Sequence, residues 1–166
     1  MKDSQQSDNL CTHCKATVSE QDKFCPNCGA LFTDGWFCTN HHSTSAEGVC
    51  VICSKPFCKK CGKLSGGVFV CDPHWGYEIQ EGMARVFGTT DNVEAQRVTT
   101  FLKQAGFHPF LYSRIFNPTA DLVAVAGIVR GFGVGNHPIP EQRVFVPFGE
   151  VLRAQETLHE LGIKGV

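Results

Sequence analysis

Ten cysteines and two of seven histidines fall into six pairs, each separated by two residues: Cys11/Cys14, Cys25/Cys28, Cys38/His41, Cys50/Cys53, Cys58/Cys61 and Cys71/His74. Thiolate sulfur and imidazole nitrogen are the ligands of tetrahedral Zn²⁺, which takes four of them. Twelve ligands therefore close on three zinc ions with no cysteine left over. The two-residue spacer lets a tight turn aim both side chains at one metal while backbone N–H groups point at the sulfurs. One such pair is weak evidence; six within residues 11–74 form a specific pattern.

Other cysteine chemistry fits less well. A disulfide framework requires an oxidising compartment, and the N-terminal MKDSQQSDNL is polar, without an apolar leader core. Thioredoxin-type redox use of Cys-x2-Cys needs a βαβ setting around it, which these pairs lack. Iron–sulfur ligation by Cys11, Cys14, Cys25 and Cys28 would show different spacings. The longest apolar run, residues 122–129, is far too short to span a bilayer. The sequence is thus expected to be soluble, cytoplasmic and free of membrane. Its formal charge of −1 becomes −5 once ten thiols ionise and three dications bind. Residues 1–80 hold seven Lys, no Arg and eight acids, so this charge belongs to the cysteine-rich half.

The elements that must position these ligands are small. Residues 1–10 read as a disordered tail by composition. Residues 11–33 carry Cys11, Cys14, Cys25 and Cys28, with a ten-residue spacer long enough for one hairpin. In KFCPNCGALF, Pro26 stiffens the knuckle and Gly29 tolerates positive φ just after it. Phe24 and Phe32 can cover a site too small for a core of its own. The segment resembles the short prokaryotic zinc ribbon, with FCPNCG its specific part.

Residues 36–75 hold the other eight ligands in the order Cys38, His41, Cys50, Cys53, Cys58, Cys61, Cys71 and His74. A sequential arrangement would put the first four on one metal; a cross-brace would join the first pair to the third and the second to the fourth. The four-residue spacer 54–57 suits an interleaved unit. Order and spacing resemble the B-box zinc finger, although its Asp or His positions are cysteines here. That resemblance implies Cys38, His41, Cys58 and Cys61 on one zinc, and Cys50, Cys53, Cys71 and His74 on the other. His42 competes with His41, which is favoured because every other pair uses a two-residue spacer. His13, His108, His137 and His159 are scattered and read as ordinary surface or packing residues. Lys55, Lys59, Lys60 and Lys63 read as a solvated face, with a nucleic-acid patch as the sharper alternative.

Residues 76–84 read as a linker, and no cysteine follows. Residues 85–88 are a strand candidate. Asp91 and Glu94 resemble a capping box opening a helix, with Ala95, Val98, Leu102 and Ala105 as its stripe and Gly106 as its end. Residues 109–114 are extended and residues 143–147 form a strand. Val151, Ala154, Leu158 and Leu161 mark a second helix ended by Gly162, and residues 163–166 are a candidate last strand. The predicted class is α+β: two zinc-stabilised modules followed by a ferredoxin-like split βαβ domain over residues 85–166. Local details, including Glu94-Ala95, Ala105-Gly106-Phe107 and residues 144–147, resemble a prokaryotic family of signal-transducing proteins. That resemblance implies a fold shared with nitrogen-regulatory proteins and carries over no ligand-binding residue. Residues 117–140 are too apolar for a solvated loop and rich in Gly and Pro; they are a candidate contact surface for a partner or a second copy.

Four protein ligands per zinc leave no position for an activated water, and cysteines committed to metal offer no nucleophile. The expected function is therefore a non-enzymatic, zinc-binding adaptor or regulatory protein, possessing no catalytic residue and no organic cofactor, that acts on an unidentified protein partner in signalling. The alternative is a nucleic-acid-binding protein of transcription or RNA metabolism, which the −5 charge disfavours.

Overall fold

A computed structural model describes residues 9–113 and 141–165. The candidate contact segment 117–140, most of the N-terminal tail and Val166 lie outside the described residues.

The cysteine-rich half is a chain of short hairpins. Strand β1 (Asn9–Leu10) pairs antiparallel with β2 (Thr17–Val18), and the first knuckle is the turn between them. The residues at the end of the expected tail are thus part of the first hairpin. Strands β3 (Gly48–Val49) and β4 (Pro56–Phe57) flank the Cys50/Cys53 knuckle in the same way. Strands β5 (Gly62–Ser65) and β6 (Val68–Cys71) are joined by Gly66 and Gly67, both at positive φ, as a two-residue hairpin turn requires. A short 3₁₀ turn, Asp72–His74, follows β6 and carries the last ligand.

Three knuckles share one backbone design. Cys11, Cys25 and Cys50 each accept a hydrogen bond from the N–H four residues on, at 2.8–2.9 Å. Each also donates its own N–H to the carbonyl five residues on, again at 2.8–2.9 Å. The fourth residue must be left-handed, and it is Lys15 (φ 62°), Gly29 (φ 80°) or Ser54 (φ 54°). Only Gly29 adopts this without the penalty of about 1–2 kcal/mol that a Cβ brings.

In the second half, β7 (Ile79–Gln80), β8 (Met83–Thr89), β9 (Phe110–Ser113) and β10 (Gln142–Pro147) form one antiparallel sheet in the order β7-β8-β10-β9. Strands β8 and β9 both run antiparallel to β10, so they are parallel to one another with β10 between them. Helix α1 (Asn92–Gln104) connects β8 to β9, and α2 (Val151–Glu160) follows β10. The residues expected to link the halves include β7, and the Tyr77 hydroxyl there donates to Gln155 on α2. Residues 163–165 form no strand, although a last strand is expected there; the edge beside β8 is occupied by β7.

Helix α1 starts as its sequence demands. Asp91 Oδ1 accepts from the N–H of Val93 at 2.8 Å and of Glu94 at 3.3 Å. Glu94 does not return the favour to Asp91; it accepts from the Thr89 hydroxyl at 2.6 Å, and Asp91 N–H goes to Thr89 Oγ1. Of the helix stripes, Val98, Leu102, Val151, Ala154 and Leu158 share one buried cluster with Ala84, Val86, Val144 and Val146, and Ala95 is buried as well. Ala105 and Leu161, expected to continue these stripes, are exposed: each is the residue where its helix ends, beyond the last turn that faces the sheet. The described residues are thus α+β.

The two cysteine-rich modules are stitched together through their backbones. Val49 N–H donates to Gly29 O at 2.9 Å, and Phe69 N–H donates to Cys28 O at 2.8 Å. Val51 N–H in turn donates to Phe69 O at 3.1 Å. The Phe69 ring is buried between Gly48 and Gly62, where added Cβ atoms would come within 2.7 Å of it. One aromatic residue therefore fills the middle of the second module and anchors the first to it.

Candidate metal centres

The twelve ligands converge as three groups: Cys11, Cys14, Cys25, Cys28; Cys38, His41, Cys58, Cys61; and Cys50, Cys53, Cys71, His74. Within each group the ligand atoms all lie within 4.8 Å of one another. A tetrahedron with Zn–S bonds of about 2.3 Å has S···S edges of about 3.8 Å, and about 3.6 Å where one corner is an imidazole nitrogen. Cys11–Cys28 and Cys14–Cys25 are 3.7 and 3.6 Å apart. His41 Nδ1 stands 3.7, 3.5 and 3.3 Å from the sulfurs of Cys38, Cys58 and Cys61. In the third group Cys53–Cys71 is 3.9 Å and Cys50–His74 Nδ1 is 3.5 Å. These separations fit three structural zinc ions.

The grouping interleaves the second and third sites and excludes sequential pairing. Hairpin β3–β4 carries one pair for the third site and leads directly into the Cys58/Cys61 pair of the second; β6 then returns Cys71 and His74 to the third. The short 54–57 spacer is the β4 side of that hairpin, so successive pairs point to opposite metals. His41, not its neighbour His42, enters the second group.

The thiols within each group perturb one another. Burial disfavours the Cys14 thiolate, but hydrogen bonds from Asn27 and the Ala16 N–H outweigh it and bring the thiol down to about 6. Burial pushes its groupmate Cys28 well up. In the third group, the hydrogen bond from Cys53 pulls Cys50 down to about 4 against burial, while Cys53 is pushed far up by the same contact. Cys71 rises to about 11 through burial and the Cys50 charge. Sulfurs this close cannot all ionise on their own, because each thiolate raises the next. A divalent cation reverses that, and its binding releases the remaining protons.

Two asparagines missed by the sequence reading support the sulfurs from outside. Asn27 Nδ2 donates to Cys14 Sγ and Asn40 Nδ2 donates to Cys61 Sγ, each at 3.5 Å. Both occupy the second spacer position of a knuckle, Cys25-Pro-Asn-Cys28 and Cys38-Thr-Asn-His41, and both reach across to the opposing knuckle. That repeated position is the signal that was available. Such donors orient ligands and temper their charge.

Among the described residues, no histidine other than His41 and His74 joins a group. His13, His42 and His159 are exposed, and His108 pairs with Glu150 at 2.6 Å near the start of α2. Lys55, Lys59, Lys60 and Lys63 are exposed, with Lys63 Nζ 3.4 Å above the Trp75 ring. On the sheet, Arg85 and Arg143 each pair with both Glu78 and Glu141. No helix among the described residues is long and apolar enough to cross a membrane. No family model, curated protein or solved structure matches this chain.

Proposed function

We propose that this chain is a non-enzymatic, zinc-stabilised adaptor or regulatory protein that binds another protein, acting in the cytoplasm and in signalling. The observation that carries the reading is closure. Each of the three groups offers four ligand atoms within 4.8 Å of one another, a full set for one tetrahedral zinc that leaves no corner for a reactive water. Zinc here holds small hairpins in place, as it must where modules of this size cannot bury enough apolar surface. The proposed organisation is a ribbon (11–33), a B-box-like cross-brace (36–75), a connecting stretch (76–84) and a ferredoxin-like domain (85–166). The order of β8, β10 and β9 around α1 supports the last assignment. The metal ligands proposed are the twelve residues grouped above.

One observation favours the nucleic-acid alternative: the exposed lysines Lys55, Lys59, Lys60 and Lys63, of which Lys63 lies over Trp75. Against it, Lys63 already covers that indole, and the zinc-loaded half is acidic and free of arginine. Backbone recognition needs clustered positive charge. The test is photo-crosslinking of the zinc-loaded chain, set beside titration with DNA and RNA. Zinc-dependent crosslinking to a defined protein, competed by unlabelled chain, supports the adaptor. Sub-micromolar, salt-sensitive nucleic-acid binding would replace it with the alternative.

A further inference from the structure

We propose that the groove between the ribbon and the cross-braced module receives a lysine or arginine side chain from an extended segment of the partner protein. The proposal rests on the protein-binding reading above and makes its chemistry specific. The groove has a volume of about 540 Å³ and is walled by residues 31–36 on one side and 45–47 on the other. Asp34 and Glu47 both line it, both are exposed, and neither carboxylate has an ion-pair or hydrogen-bond partner among the described residues. No lining residue is basic.

Two aromatic residues, Phe32 and Trp36, line the same groove. Phe32 is 38% exposed. Trp36 is fixed: its indole N–H donates to Thr33 Oγ1 at 3.2 Å, and Phe24 packs against it edge-on with ring centroids 6.4 Å apart. The two walls are tied by a backbone hydrogen bond from Ala46 N–H to Trp36 O at 2.9 Å, beside an antiparallel bridge between Phe37 and Ser45. A cation over an aromatic ring, with a carboxylate within reach, is a favourable pairing for both groups. Lys63 over Trp75 shows the aromatic part of this contact elsewhere in the same module. Because the walls are already fixed, little ordering is required when the partner arrives. The acidic charge of the zinc-loaded half draws a basic segment toward the groove rather than away from it.

The two tryptophans, Trp36 and Trp75, allow a direct test. In zinc-loaded full-length Trp75→Phe, Trp36 is the sole indole and reports on the groove. The probes are the peptides acetyl-GKGKG-amide and acetyl-GEGEG-amide. Saturable change of Trp36 emission is expected with the lysine peptide alone, weakening as salt rises. Asp34→Asn with Glu47→Gln should raise its dissociation constant at least tenfold, with zinc content unchanged. Equal binding of the lysine peptide by this variant, or no emission change at millimolar peptide, overturns the groove assignment and leaves the protein-binding reading intact. Absence of any defined protein partner in the crosslinking experiment, with tight nucleic-acid binding, removes both.

Discussion

Gly29→Ala probes the join between the two cysteine-rich modules. Gly29 sits at φ 80°, and a Cβ there would lie 2.1 Å from Val49 O. Placing alanine in the left-handed region costs about 1–2 kcal/mol. Contact at that distance forces the two segments apart, which removes the Val49–Gly29 hydrogen bond and strains the Phe69–Cys28 bond, each worth about 1 kcal/mol. The sum is about 3 kcal/mol, or roughly a hundredfold in an equilibrium constant. Because Gly29 closes the Cys25/Cys28 knuckle, the loss should appear as easier removal of the first zinc. The assay is zinc transfer to a chromogenic chelator, with the ribbon's amides followed by NMR. Gly67→Ala is the control: it has φ 84° but nothing within 4 Å of its Cβ, so it should cost only the backbone term of about 1–2 kcal/mol, and none of that at the first zinc. Equal zinc retention in the two variants would refute the claim that the modules are stitched at this point.

Asn27→Ala and Asn40→Ala should each weaken zinc binding about tenfold at the first and second sites respectively, measured by competition with a chelator; unchanged affinity would show that their contacts with Cys14 and Cys61 are incidental. His41→Ala should reduce bound zinc from three equivalents to two, while His42→Ala keeps three; the reverse would reassign the ligand. Chelation should abolish amide protection over residues 11–75 and preserve it in β8, β10, α1 and α2, whose core of Val86, Leu102, Val144, Val146 and Leu158 contains no metal ligand; loss of protection everywhere would mean that the halves fold as one. Leu102→Ala should destabilise the second half by about 2–5 kcal/mol, read by denaturant unfolding, because the side chain is fully buried.

The six Cys/His pairs were legible in the sequence because knuckle spacing is a local property; which pair joins which is not local, and for residues 38–74 only the B-box resemblance pointed to the grouping found. Two residues between ligands dictate a turn, and the turn dictates a shared metal. The helices were legible for the same reason: Asp91 caps α1, and its apolar stripe has the period of a helix that faces a sheet. Several features were hidden. Lys15 and Ser54 take the left-handed position that a glycine would announce, so the common backbone of three knuckles does not show in residue types. Phe69 reads as one apolar residue in a strand, yet its role comes from contacts with Gly62 across its own hairpin and with Gly29 and Gly48, which are remote in sequence. Strand β7 is two residues long and too short to leave a periodic signal, which is why its neighbourhood reads as a linker. The Arg85, Arg143, Glu78 and Glu141 network depends on strand register, set by pairing between segments more than fifty residues apart.

The central claim is three closed zinc sites with a cross-braced pair. Zinc X-ray absorption on protein purified without chelator, combined with metal analysis, tests it most directly. The account predicts three zinc ions sharing ten sulfurs and two imidazole nitrogens, with Zn–S near 2.3 Å, Zn–N near 2.0 Å and no oxygen ligand. Fewer than three equivalents, or a water-like oxygen in the coordination shell, would contradict it.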